Sequence, residues 1–166
     1  PNVNDAAYFM NCFNTVQDLV KKDLLLAGHD ISAGGMLTSL LEMCFAENDL
    51  GANIDLAGID EKDPVKLLFA ENSGVVIQSK GSNQVEGILE AHGILFHKIG
   101  SAVRGNSLKI SNFDLEFNIE TYRDYWFKTS FLLDKQQTAN NLAEDRFKNY
   151  KHQPLKFEFP AHFTGK

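Results

Sequence analysis

Residues 27–35, AGHDISAGG, place a histidine, an aspartate, a serine and two adjacent glycines directly before an apolar helical pattern. Each of these groups has a defined chemistry. A carboxylate such as Asp30 suits Mg2+, because a hard cation prefers oxygen ligands. The hydroxyl of Ser32 can donate to a phosphate oxygen. A glycine-rich corner that opens a helix aims backbone N–H groups outward, where the helix dipole adds attraction for an anion. His29 could reach a phosphate, although a lone histidine beside a strand is more often a hydrogen-bonded packing residue. The pattern is not a Walker loop, since no Lys-Ser or Lys-Thr follows the glycines, and it is not the Gly-x-Gly-x-x-Gly of dinucleotide folds. Spacing alone therefore leaves two readings open. The second makes Asp30 or Ser32 a helix cap and the glycines a packing requirement at a strand-to-helix corner.

The flanking elements must position this corner. LLLAG, residues 24–28, is a short apolar run that suits a strand buried on both faces. Leu37, Leu40, Leu41 and Cys44 share one helical face, which predicts a helix from Gly35 to about Glu47. Upstream, Phe9, Phe13, Val16 and Val20 line one face of a helix over residues 5–22, with Asp5 as its N-cap. Downstream come a strand at ANIDL, a short helix at DPVKLLFAEN with Pro64 in its first turn, and a buried strand at GVVIQS. SNQVEGILEAHG predicts a helix with Ser82 as N-cap and Gly93 beyond its end, and ILFHKIG predicts a further strand. SLKISN and LEFNIE alternate around a turn, as in an exposed hairpin. A helix follows from Tyr122 to about Leu133, with Trp126 packing between it and the sheet. The fold class expected is α+β: a mixed sheet of about four to six strands with helices packed on it. Residues 1–135 form the expected domain, and the polar residues 136–166 a helix and linker.

Three motifs in order carry a more specific signal: HDISAGGMLTSLLEMCFA, then LLFAENSGVVIQ, then YRDYWFKTS. Together they resemble the C-terminal-type domain of the aminoimidazole ribonucleotide synthetase superfamily, in which a His-Asp-x-Ser-Asp-Gly-Gly turn opens a helix. Within it, the resemblance is to the large glutamine-dependent enzymes of purine biosynthesis. The reaction implied is the ATP- and glutamine-dependent conversion of formylglycinamide ribonucleotide to formylglycinamidine ribonucleotide. There, ATP activates an amide oxygen and ammonia from a separate glutaminase domain displaces it, while metal ions neutralise the phosphoryl charge. Carried over by motif position, Asp30 would bind Mg2+ and Ser32 would contact ATP. The other metal ligands would belong to a neighbouring nucleotide-binding domain, so this segment would hold part of a site and be inactive alone.

One residue departs from the pattern. Ala33 stands where the family has a second aspartate, so any role of that carboxylate is missing here. Such enzymes also contain two pseudo-symmetric halves, one with an auxiliary nucleotide site that does not turn over. The polar tail resembles a linker towards the glutaminase, which places this segment in the later half and leaves catalytic and auxiliary roles both open. A non-catalytic scaffold and another ATP-using superfamily member, such as a selenophosphate or thiamine-phosphate enzyme, are the alternatives.

The remaining features narrow the class. A hydrophobic content of 43% with 23% charged residues is ordinary for a globular domain. A net charge of −6 with no basic stripe argues against a nucleic-acid partner. No apolar run approaches the roughly 20 residues of a bilayer span, and no signal-like N-terminus is seen. Cys12 and Cys44 read as buried reduced thiols in a cytoplasmic protein, and neither has the surroundings of a reactive cysteine. His92 and His97 lack a matching acid or cysteine, so they do not suggest zinc. Glu71 sits where the family has an acid before a strand and reads chiefly as an exposed loop residue. With no initial methionine and an ending at PAHFTGK, the chain reads as cut from a longer one.

Overall fold

A computed structural model describes residues 3–152, 158 and 160–162. The described residues fold as six α-helices and six strands, with the strands in two sheets. The chain divides into two compact units, one ending at Arg123 and one beginning at Asp124.

In the first unit, helix α1 spans Ala6–Lys21 and starts where expected, because the Asp5 carboxylate accepts the N–H of Tyr8 at 2.9 Å. Its buried positions are Thr15 and Leu19. The apolar stripe beside them stays open, with Phe13 50% and Val20 55% exposed. One residue is about 100° of helix rotation, so the face leaning on the core is the one next to the stripe.

Strand β1 covers Leu25–Ile31 and pairs antiparallel with β3, Gly74–Ser79, so that Asp30 lies opposite Val75. Both strands were expected to be buried, and neither is, since Leu26 is 57% and Val75 50% exposed. The apolar runs are real, but among the described residues only one side of this two-stranded ribbon is packed. The strand also runs on through His29, Asp30 and Ile31, because β3 offers ladder partners that far.

Helix α2, Gly35–Cys44, follows at once and ends a turn earlier than expected. It buries Leu37, Leu40, Leu41 and Cys44, as its period demands, together with Gly35, Met36 and Ser39. Strands β2 (Gly51–Ile54), β4 (Gly100–Val103), β5 (Ser107–Ile110) and β6 (Leu115–Asn118) form the second sheet in the order β4-β2-β5-β6. Only the β2–β5 pairing is parallel. The β5–β6 hairpin turns through a 3-10 segment at Ser111–Phe113, and its inner face carries the fully buried Leu108 and Ile110. These two pack with α2, Leu56 and Ile119 into the main core.

Helix α3, Pro64–Phe69, begins with the Asp63 carboxylate capping Val65 and proline at the first turn. Helix α4 spans Ser82–Ala91. Its N-cap is Gly81 rather than Ser82, one residue earlier than expected, and Gly93 lies past its end in the left-handed region at φ 63°. Val85 and Leu89 of α4 meet Leu19 in a smaller core.

The strand expected at ILFHKIG is absent. Residues 94–99 are irregular, and the first strand residue is Gly100. The Leu95 N–H goes to the Tyr8 hydroxyl at 2.9 Å instead of a ladder, while Ile94 and Phe96 pack on the smaller core. An apolar run needs a free neighbouring edge to become a strand, and this one found a side-chain acceptor.

Helix α5, Ile119–Gln137, is longer than expected and passes through the boundary anticipated at residue 135. Its first turn is locked by Arg123, which is 4% exposed and donates to the carbonyls of Phe45 and Glu47 at the end of α2 and to the Asn48 side chain. A cation there also complements the helix dipole. In the second unit, helix α6 (Leu142–Asn149) packs back on α5: Arg146 bridges to Asp134 at 2.8 Å through Nε, and Phe131 stacks on Phe147. Trp126 is half exposed and sits edge-on to Phe127. Residues 153–157, 159 and 163–166 of the expected linker lie outside the described residues.

Candidate functional site

The corner predicted to carry chemistry forms where β1 runs into α2. Both glycines are needed there for conformational reasons: Gly34 has φ 84° and Gly35 φ 70°, a region that favours residues without Cβ. Gly35 is doubly constrained, since a Cβ would stand 2.6 Å from the Leu68 carbonyl oxygen and from the Phe69 Cα. The end of α3 is thus pressed onto the start of α2.

Around this corner, side chains of α2 reach back to β1. The buried Ser39 hydroxyl donates to the Asp30 carbonyl at 2.8 Å. Glu42, one turn further on, meets Nε2 of His29 at 2.8 Å, while Nδ1 of His29 lies 2.7 Å from the Asp30 carbonyl. An N–H facing Glu42 makes His29 a donor to the helix. His29 is therefore a hydrogen-bonded structural residue in this arrangement, and its ring joins strand to helix.

Asp30 itself projects outward, with its side chain 75% exposed, and Ser32 is exposed as well. Neither side chain is held by packing. The turn between them and the helix is closed by the Gly35 N–H bonding to the Ser32 carbonyl at 3.0 Å. The Gly34 N–H is already taken, by the Glu71 carboxylate at 2.9 Å. Glu71 is exposed, as its loop position suggests, but it fills the role of an acidic cap that neither Ala33 nor Gly34 can supply. An open groove of about 490 Å3 borders this corner, lined by Val16 and Val20 of α1, Leu26 and Asp30 of β1, and Val75 and Ile77 of β3.

The structure thus brings Asp30 and Ser32 into one exposed turn. Among the described residues there is no group of three His, Cys, Asp or Glu side chains able to hold a metal ion. Asp30 fits Mg2+ as a single contributing carboxylate, because that ion keeps several waters and commonly takes one or two protein carboxylates plus phosphate oxygens. Ser32 fits a phosphate oxygen as a hydroxyl donor. The expected backbone grip fits less well, because one of the corner's amides, the Gly34 N–H, is committed to Glu71.

Two contributors, Ser39 and Glu42, were not singled out from sequence. Ser39 and Glu42 stand three apart in α2 and so share a face, a signal that a polar pair inside an apolar helix does offer. Glu71 was read as a loop residue, and its bond spans 37 residues, which no local pattern encodes. Elsewhere, Cys44 is buried and Cys12 only partly so, and burial raises the Cys44 thiol above its ordinary range. His92 ends α4, where its carbonyl accepts from Asn11. No helix among the described residues is long and apolar enough to cross a membrane.

These features define a class. The chain belongs to the AIR synthase related protein family, as its C-terminal domain, and the family model matches residues 1–111. A curated relative in Arabidopsis thaliana, the probable phosphoribosylformylglycinamidine synthase, chloroplastic/mitochondrial, is 32% identical over 162 residues. That match covers 93% of this chain and 11% of the relative, so the chain spans about a tenth of the relative's length. Among solved structures, PurLQS from Thermotoga maritima aligns with a TM-score of 0.60 at 19% identity, over 71% of this chain and 22% of that one. Thermotoga maritima PurL complexed with ATP aligns at 0.53 and 21% identity, over 66% and 20%. At these identities the solved structures establish the shared fold.

Proposed function

We propose that this chain is a segment of a phosphoribosylformylglycinamidine synthase, which converts formylglycinamide ribonucleotide to formylglycinamidine ribonucleotide using ATP and glutamine. The observation that carries this reading is the exposed turn holding Asp30 and Ser32 at the junction of β1 and α2, in a chain of this family. Support comes from the name of the Arabidopsis relative and from the Thermotoga PurL structures described as complexes with ATP and with FGAR. Asp30 would hold Mg2+ through its carboxylate, and Ser32 would donate its hydroxyl to a nucleotide phosphate. Ser39, His29 and Glu42 orient the strand end that bears them. When bound, Mg-ATP supplies the phosphoryl group that activates the substrate amide. The remaining ligands come from other parts of the full-length chain, including a nucleotide-binding domain, and ammonia from a glutaminase domain, so the segment alone is inactive. We place the protein in the cytoplasm on its reduced thiols, although the plant relative is named for organelles.

Full-length protein carrying Asp30→Ala is expected to lose Mg-dependent nucleotide content and ammonia-dependent synthesis together. Retention of both would sink the reading. A second reading has a specific observation in its favour: the turn lacks the acid at Ala33 and has no three-ligand cluster among the described residues, as an auxiliary nucleotide site on a scaffold domain would tolerate. In that case Asp30→Ala lowers nucleotide content and thermal stability but leaves turnover unchanged.

A further inference from the structure

The four-residue stretch that carries both candidate ligands is tied at each end by a residue from outside it. Upstream, Ser39, only 2% exposed, donates to the Asp30 carbonyl at 2.8 Å. Downstream, Glu71 reaches from the loop between α3 and β3 and accepts the Gly34 N–H at 2.9 Å. Between these ties lie the Asp30 side chain, Ile31, Ser32 and Ala33. The two ligand side chains are exposed, so their direction is set by the backbone that bears them rather than by packing. That backbone enters a left-handed pair of glycines with no capping side chain of its own. Without Glu71, the reversal after Ser32 would rest on the Gly35-to-Ser32 bond and on the Thr38 hydroxyl, which donates to the Gly34 carbonyl at 3.0 Å.

We infer that Ser39 and Glu71 are positioning residues that clamp the Asp30–Ser32 turn from its two ends and so set the direction of its metal and phosphate contacts. The inference rests on the reading that Asp30 and Ser32 meet a nucleotide. A binding constellation must be held to within about 0.5 Å of its productive geometry. A displacement of about 1 Å can cost about a hundredfold. The clamp acts through one neutral contact and one charge-assisted contact, of which the second is the stronger. Glu71 contributes as an acceptor at one N–H, so a neutral acceptor of the same length can replace it.

The test uses the full-length protein, with Mg-ADP as the calorimetric probe and hydrogen exchange of peptides spanning residues 27–43 as the structural readout. Glu71→Ala is expected to speed exchange at the Gly34 amide at least tenfold and to weaken Mg-ADP about tenfold. Glu71→Gln should keep both within about twofold, because its amide oxygen still accepts. Ser39→Ala should weaken Mg-ADP about fivefold. The proposal is overturned if either alanine variant binds Mg-ADP as the parent does, or if Glu71→Gln is as impaired as Glu71→Ala. Should Glu71→Ala not fold, Glu71→Gln decides: retained exchange protection and affinity are expected, and loss of either overturns the clamp. If Asp30→Ala leaves Mg-ADP binding intact, the functional reading fails. The clamp is then judged by Gly34 exchange in Glu71→Ala, where an unchanged rate overturns it.

Discussion

Helices α1 and α2 both carry apolar stripes, yet the chain uses them in opposite ways. Helix α2 buries seven of its ten residues, and its side chains reach back to fix the end of β1. Helix α1 buries two of sixteen and leaves Phe9, Phe13 and Val20 in the open, with Val20 lining the groove that also borders Asp30. The difference shows that a periodic stripe announces a helix without saying which surface covers it. Coverage depends on what lies opposite, and for α2 that is the second sheet, whose Leu108 and Ile110 are fully buried. The candidate site sits on the boundary between the two regimes: its backbone is anchored to the covered helix, and its ligand side chains face the uncovered side.

The sharpest way to break this contrast is at Gly35. Substitution by alanine forces a left-handed φ on a residue with Cβ and drives that atom to 2.6 Å from the α3 backbone, which cannot yield as a side-chain tip would. A loss of about 4 kcal/mol is expected, since conformational strain of about 1–3 kcal/mol adds to overpacking of about 1–3 kcal/mol. Urea unfolding would measure it, and a loss below about 1 kcal/mol would show that α2 can shift freely, contrary to its role as anchor.

The same measurement on the open face should give almost nothing. Val20 is 55% exposed, so Val20→Ser should change stability by no more than about 0.5 kcal/mol, as for surface substitutions generally. A loss of about 2 kcal/mol or more would mean that the α1 stripe is covered after all, and the contrast would collapse.

How far the sequence led can be judged on particular residues. Asp5 and Pro64 marked helix starts because a helix start is a local event, decided within three residues. The hairpin between β5 and β6 was legible for the same reason, from its alternation about a short turn. Residues 94–99 were misread because a strand is not local: Leu95 gave its N–H to Tyr8, 87 positions away. At the candidate site, Asp30 and Ser32 were singled out by motif, and the corner by its glycines. The bonds that support them were not legible: nothing marked Ser39, and Glu71, noted at the position of a family acid, becomes a cap only when α3 docks on α2, a contact that no spacing within either helix records.

A third pair of helices extends the comparison to polar ties on an exposed surface. Asp134 of α5 accepts from Arg146 and Thr138, and the Arg146 guanidinium holds its carboxyl below the ordinary value of 3.8, with Thr138 adding to the effect. Because the folded value is depressed, the stabilisation is fully present above about pH 4 and disappears as the pH falls through the lower folded value. The Asp134 contribution should therefore be insensitive to pH between neutrality and about 4 and weaken only below that. The effect should be small and reduced by salt, since an exposed ion pair is screened by water and counterions. Carboxyl-carbon NMR of Asp134 would give the midpoint directly: below 3.8 in the parent, and moving up towards 3.8 in Arg146→Ala. A parent midpoint at or above 3.8 would mean that Arg146 does not hold Asp134 in solution, leaving the Lys135–Glu144 pair and the Phe131–Phe147 stack to keep α6 on α5.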